Sequence, residues 1–133
     1  MAVLKGKPRP AEEQVKVDPD GPQITVDAPH IDAGPMGSPL EIRVRWQARA
    51  GASIDMASLK VIYVRDNVLL DRTDRVRKCG TTMARLAGIN CRLDAEGLFV
   101  EKAAFDKGRY TVVVQLADTE RRTTRREFVV EIA

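Results

Sequence analysis

From Leu40 to Arg49 apolar and polar residues alternate without interruption. Leu40, Ile42, Val44, Trp46 and Ala48 share one side, and Glu41, Arg43, Arg45, Gln47 and Arg49 share the other. A period of two suits a strand with one face on a core and one in water, whereas a helix would scatter these residues around its circumference. The same period recurs along the chain. Gln23 to Asp27 places Ile24 and Val26 inward, and Ser58 to Val64 does so with Leu59, Val61 and Tyr63. Asn67 to Asp71 continues as a short edge strand after a turn at Asp66-Asn67, and Gly97 to Glu101 alternates again. Tyr110, Val112, Val114 and Leu116 mark a long strand after the turn Asp106-Lys107-Gly108, and Phe128, Val130 and Ile132 mark the last. Seven short strands separated by turn signals, with no internal repeat and no long helical period, predict an antiparallel β-sandwich or small barrel.

The segments between the strands are of three kinds. Residues 1 to 22 hold Pro8, Pro10, Pro19 and Pro22 among charged residues, a composition that cannot offset its own ordering entropy, so this stretch reads as a flexible leader or linker. The ordered domain is then 23 to 133. Ala28 to Ser38 and Ala50 to Asp55 are loops punctuated by Pro and Gly. Arg72 to Asn90 has no alternation and reads as an insertion around residues 72–90, with room for one or two helical turns at Thr82 to Ala87.

Composition narrows the function classes. A chain of 133 residues is long enough to bury one core of its own. Its net charge of +3, from 22 basic and 19 acidic residues, is well mixed, which disfavours nucleic acid as a partner. Arg121, Arg122, Arg125 and Arg126 lie close together near the C-terminus, and they read first as the solvated edge of a hairpin and second as an anion patch. No apolar run is long enough for a membrane span, and the first ten residues lack the apolar core of a signal peptide. The expected location is periplasmic or extracellular if a signal peptide has been removed, and cytoplasmic otherwise.

Candidate chemistry adds little. Asp71, Asp74, Asp94 and Asp118 fall at strand ends, where Asp ordinarily serves turns and caps. These four show no Asp-x-Asp spacing for calcium, there is no phosphate-cradling Gly-rich loop, and His30 stands alone between Pro29 and Ile31, so no catalytic residue, metal or cofactor is expected. Cys79 and Cys91 bracket the insertion, and would form a disulfide in an exported chain and remain thiols in a cytoplasmic one. Phe99, Val113 and Val129 are out of phase with the inward faces of their strands, which makes them a candidate apolar interaction patch, or a surface covered by the leader or the insertion.

Trp46 on the second strand, Tyr63 on the third and Tyr110 after Lys107-Gly108-Arg109 resemble the core aromatic set of immunoglobulin-like domains of the fibronectin type III kind. The phrase Phe105 to Asp118 is similar to the strand-turn-strand ending of many bacterial Ig-like modules. The resemblance implies a seven-stranded Ig-like sandwich over Gln23 to Ala133 and a tyrosine corner at Tyr110, whose hydroxyl turns back to nearby backbone. The chain departs from the bacterial pattern at Asp118-Thr119-Glu120-Arg121, which has no Gly and so implies a wider loop than a tight turn. The expected function is a non-enzymatic structural or protein-interaction module, an accessory domain of a bacterial envelope or secreted protein. The alternative is a carbohydrate-binding accessory domain with a polysaccharide partner, and an Arg-based anion or nucleic-acid binder comes third.

Overall fold

The computed structural model describes residues 7–8, 18–29, 34–49, 51–79 and 90–133. In chain order the elements are β1 (Lys7–Pro8), β2 (Gln23–Ala28), β3 (Leu40–Gln47), β4 (Ile54–Arg65), β5 (Val68–Asp71), α1 (Thr73–Arg77), β6 (Cys91–Asp94), β7 (Gly97–Ala103), β8 (Gly108–Asp118) and β9 (Thr123–Ile132). They form two antiparallel sheets, one in the order β1-β5-β4-β8-β9 and one in the order β2-β3-β7-β6. The protein is an all-β sandwich.

Alternation becomes core as the periodicity requires. Ile42, Val44 and Trp46 of β3, Leu59 and Val61 of β4, Tyr110, Val112, Val114 and Leu116 of β8 and Phe128, Val130 and Ile132 of β9 are all buried in one cluster. Val76 of α1 joins them, and the Arg77 guanidinium donates to the carbonyl oxygens of Met56, Ala57 and Leu59 at 3.0–3.1 Å. Those carbonyls lie where the pairing of β4 with β8 shifts register between Asp55 and Lys60. Ser58 bridges the same irregularity, its hydroxyl donating to Asp55 O at 2.6 Å and accepting from Ala117 N at 2.8 Å. The bulge thus has polar partners from side chains that an isolated strand would not supply.

Several elements differ from the sequence expectation. Seven strands become eight of four residues or more, because Cys91–Asp94 pairs with β7 as β6, and the two-residue β1 adds to these. A run of Cys-Arg-Leu-Asp carries one aliphatic residue and no readable period, and only the pairing with β7 makes it a strand. The extended run of β4 begins at Ile54, four residues before Ser58. Within the insertion a short helix occupies Thr73–Arg77, and Thr82 to Ala87, like His30, lies outside the described residues. Residues 18–22, assigned by composition to the leader, form a turn on the start of β9: Asp18 N donates to Thr123 O at 2.8 Å, Thr123 N donates to the Asp18 carboxylate at 3.0 Å, and Pro22 is fully buried.

The loop between β8 and β9 is wider than a two-residue tight turn, as the missing glycine implied. Residues 119–121 close the hairpin, with Arg121 itself in the left-handed region at φ 63°. The Asp118 carboxylate makes this possible by accepting from the backbone N–H of Glu120 and of Arg122, each at 2.9 Å, and from Arg122 Nε at 2.8 Å. An Asx-type turn therefore does the work expected of glycine.

Candidate binding groove on the four-stranded sheet

Because β3 turns its even-numbered residues inward, Arg43 and Arg45 stand on the outer face of the four-stranded sheet. Strand β7 buries Leu98 and so turns Gly97 and Phe99 outward beside them. Register then assembles two rows across three strands. Arg43 pairs with Phe99 and Phe99 with Arg92, while Arg45 pairs with Gly97 and Gly97 with Asp94.

The two rows make a trough of about 440 Å3, with Asn90 and Glu96 at its rim. Phe99 forms one wall, and the Arg43 guanidinium lies over its ring with Cζ 4.8 Å from the centroid. Gly97 lies in the floor and lets β7 approach β3 closely, since a Cβ there would collide with the Val44 carbonyl oxygen. The hairpin that carries the far side is held from beneath. Asp94 Oδ1 accepts from Glu96 N at 2.8 Å and Gly97 N at 3.1 Å, Trp46 Nε1 donates to Asp94 O at 3.2 Å, and Trp46 N donates to Glu96 O at 3.1 Å.

Each arginine has an acidic neighbour at the edge of the trough. Arg43 meets Glu41 at 2.9 Å through one nitrogen, and Arg92 meets Asp94 at 3.5 Å through one nitrogen. Arg45 engages Asp27 through Nε and through its second nitrogen, the latter at 3.0 Å. The hydrogen bond from Arg45 holds the Asp27 carboxyl below the ordinary carboxylate range, helped by the charges of Arg45 and Arg43, and in turn pushes the Arg45 guanidinium further up. A guanidinium carries five N–H donors, so donors remain on all three side chains. Such a surface can hold anionic groups through forked, charge-assisted hydrogen bonds.

The other sites expected from sequence are distributed as follows. Trp46 and Tyr110 are 4 % and 5 % exposed, and Tyr63 is half-buried, its hydroxyl pKa raised by burial. Tyr63, Phe105 and Tyr110 pack ring on ring with centroids 5.1–6.3 Å apart. The Tyr110 hydroxyl donates to Asp106 O at 3.0 Å and accepts from Arg65 Nη1 at 3.0 Å. Cys79 and Cys91 are joined by a disulfide, which ties the end of α1 to the edge strand β6.

Phe99, Val113 and Val129 do not come together. Phe99 belongs to the four-stranded sheet, while Val113 and Val129 lie on the outer face of the other, where Val113 is 1 % and Val129 39 % exposed. The four C-terminal arginines also separate. Arg121 sits in the turn, Arg122 is bound to Asp118, and Arg125, paired with Glu127 at 3.1 Å, faces the opposite side of β9 from the exposed Arg126. Arg43, Arg45 and Arg92 were not singled out as a site from sequence, because Arg92 joins the other two only through the register of β6. Among the described residues no three His, Cys, Asp or Glu side chains come together to hold a metal, and no helix is long and apolar enough to cross a membrane.

No protein-family model matches the chain, and no curated protein matches it. Among solved structures it is similar to CopC from Methylosinus trichosporium OB3b, with 10 % identity and a TM-score of 0.44 over 73 % of this chain and 78 % of that one. The overlap is too loose for any property of that protein to bear on this one.

Proposed function

We propose that this chain is a non-enzymatic, immunoglobulin-like binding module that recognises a protein partner through the outer face of its four-stranded sheet. The observation that carries the reading is the row Arg43, Phe99, Arg92 lining the trough. An aromatic ring flanked by arginines combines residue types that dominate the binding energy of protein interfaces. The sugar-binding alternative asks for an exposed aromatic platform, and the trough offers one ring whose face Arg43 already covers. The Cys79–Cys91 bridge supports placing the module in an oxidising compartment, as an accessory domain of a bacterial envelope or secreted protein.

A photo-crosslinking amino acid at position 99, compared with the same residue at position 60 on the other sheet, tests this in the native host. A discrete protein adduct from position 99 alone is expected. Adducts from position 60 alone, or from neither position, would overturn the reading.

A further inference from the structure

Resting on the reading of this face as a protein-binding surface, we propose that the trough takes an extended acidic peptide whose carboxylates occupy alternate positions, spaced to meet Arg43 and Arg45. Those two arginines lie two residues apart on the same face of β3, so their stems are separated by about 6.6 Å, the repeat between same-side residues of an extended chain. A peptide laid along β3 in extended form therefore brings carboxylates at i and i+2 over the two guanidinia together. Arg92 lies two strands away, about 9.6 Å across the sheet, and closes the cationic end of the trough on its other side. Phe99 walls the trough beside the arginines and offers an apolar surface to an uncharged side chain of the peptide.

The acidic groups around the trough decide between an acidic peptide and a uniform polyanion. Asp27 stands on β2 beside the arginines, Glu41 lies two residues before Arg43 on β3 itself, and Asp94 and Glu96 stand at the hairpin side, so negative charge brackets the arginines at both ends. A polyuronate or a nucleic acid would have to carry its charges past these carboxylates, where like charges oppose one another. A peptide with isolated carboxylates among neutral residues puts charge over the arginines and none over the rim. The guanidinia are also prepositioned for this work: Arg43 is stacked on Phe99 and Arg45 is held at two of its nitrogens by Asp27, which lowers the side-chain ordering that binding must impose.

The test is fluorescence anisotropy with a labelled peptide that alternates glutamate with threonine and leucine. The comparison ligands are a peptide of the same composition with its glutamates contiguous, an oligogalacturonate and a single-stranded oligonucleotide. Saturable binding of the alternating peptide, tighter than any comparison ligand, is expected. Arg43→Ala and Arg45→Ala should each weaken it at least about tenfold, as befits loss of a charge-assisted fork. Arg45→Lys should restore little, and Arg126→Ala, an exposed position outside the trough, should bind as the parent does. Thermal melts of the variants establish that they fold. Equal or tighter binding of a comparison ligand, indifference to the arginine variants, or no binding of the peptide would each overturn the proposal. An adduct from position 99 without peptide binding would show that the face is right and its chemistry wrong, whereas loss of that adduct removes the broader reading too.

Discussion

The indole N–H of Trp46 donates to the carbonyl oxygen of Asp94, 3.2 Å away and 48 residues along the chain. One side chain thus serves as the largest apolar group on β3 and as the support for the β6–β7 turn at the edge of the trough. Trp46→Ala should cost about 3–5 kcal/mol, the range for removing a large buried aromatic residue. Trp46→Phe keeps most of the apolar contact but leaves Asp94 O without its donor, and should cost about 1–2 kcal/mol. Urea denaturation of both variants checks the order, and a midpoint for Trp46→Ala equal to that of the parent would contradict the placement of β3 at the centre.

The Cys79–Cys91 bridge closes a loop with a separation of 12 residues. In the chain-entropy account a loop of that size contributes about 3 kcal/mol, chiefly by restricting the unfolded chain. The paired substitution Cys79→Ser with Cys91→Ser should lower stability by about that amount with little change in the spectrum of the folded state. Alkylation without reductant, followed by intact mass, should add no label to the parent protein, and two labels would rule out the bridge.

Asp118 contributes to the acid limb of stability. Burial works to raise its pKa, but the backbone N–H and guanidinium of Arg122 and the N–H of Glu120 outweigh it and hold the carboxyl below its ordinary value. A carboxyl more acidic when folded than unfolded stabilises the protein fully above its unfolded pKa, near about 3.9, and this contribution is lost as the pH falls through the folded value. Asp118→Asn should therefore be less stable at neutral pH, and the gap to the parent should close on acidification below about pH 4. Melting temperatures measured across that window decide it, a constant gap being the contrary result.

Arg121 occupies backbone space that glycine enters without steric cost. Relieving the left-handed conformation is worth about 1–2 kcal/mol, less the extra freedom glycine has when unfolded, so Arg121→Gly should raise stability by about 0.5–1 kcal/mol. Thermal denaturation reads this directly, and a lower melting temperature would show that the Arg121 side chain contributes more than its backbone costs.

What the chain carries on its own is the local part of this structure. The alternation of β3, of the later part of β4, of β8 and of β9 is written in each segment, because a period of two needs no knowledge of neighbours. Residue phase was legible in the same way, so Arg43, Arg45 and Phe99 could be placed outward before any partner strand was known. Which sheet each strand joins was not legible. The order β2-β3-β7-β6 puts Phe99 beside Arg43 and away from Val113 and Val129, a matter of long-range pairing that no window of sequence contains. Strand β6 has too few apolar residues to announce itself, and its register with β7 is what brings Arg92 to the trough and Asp94 over Trp46. The turn at Arg121 was hidden for a related reason: its conformation is held by the carboxylate of Asp118, a side chain buried only when the sandwich is assembled. Local periodicity determined the strands and their faces, and only the tertiary pairing decided which outward residues became a site.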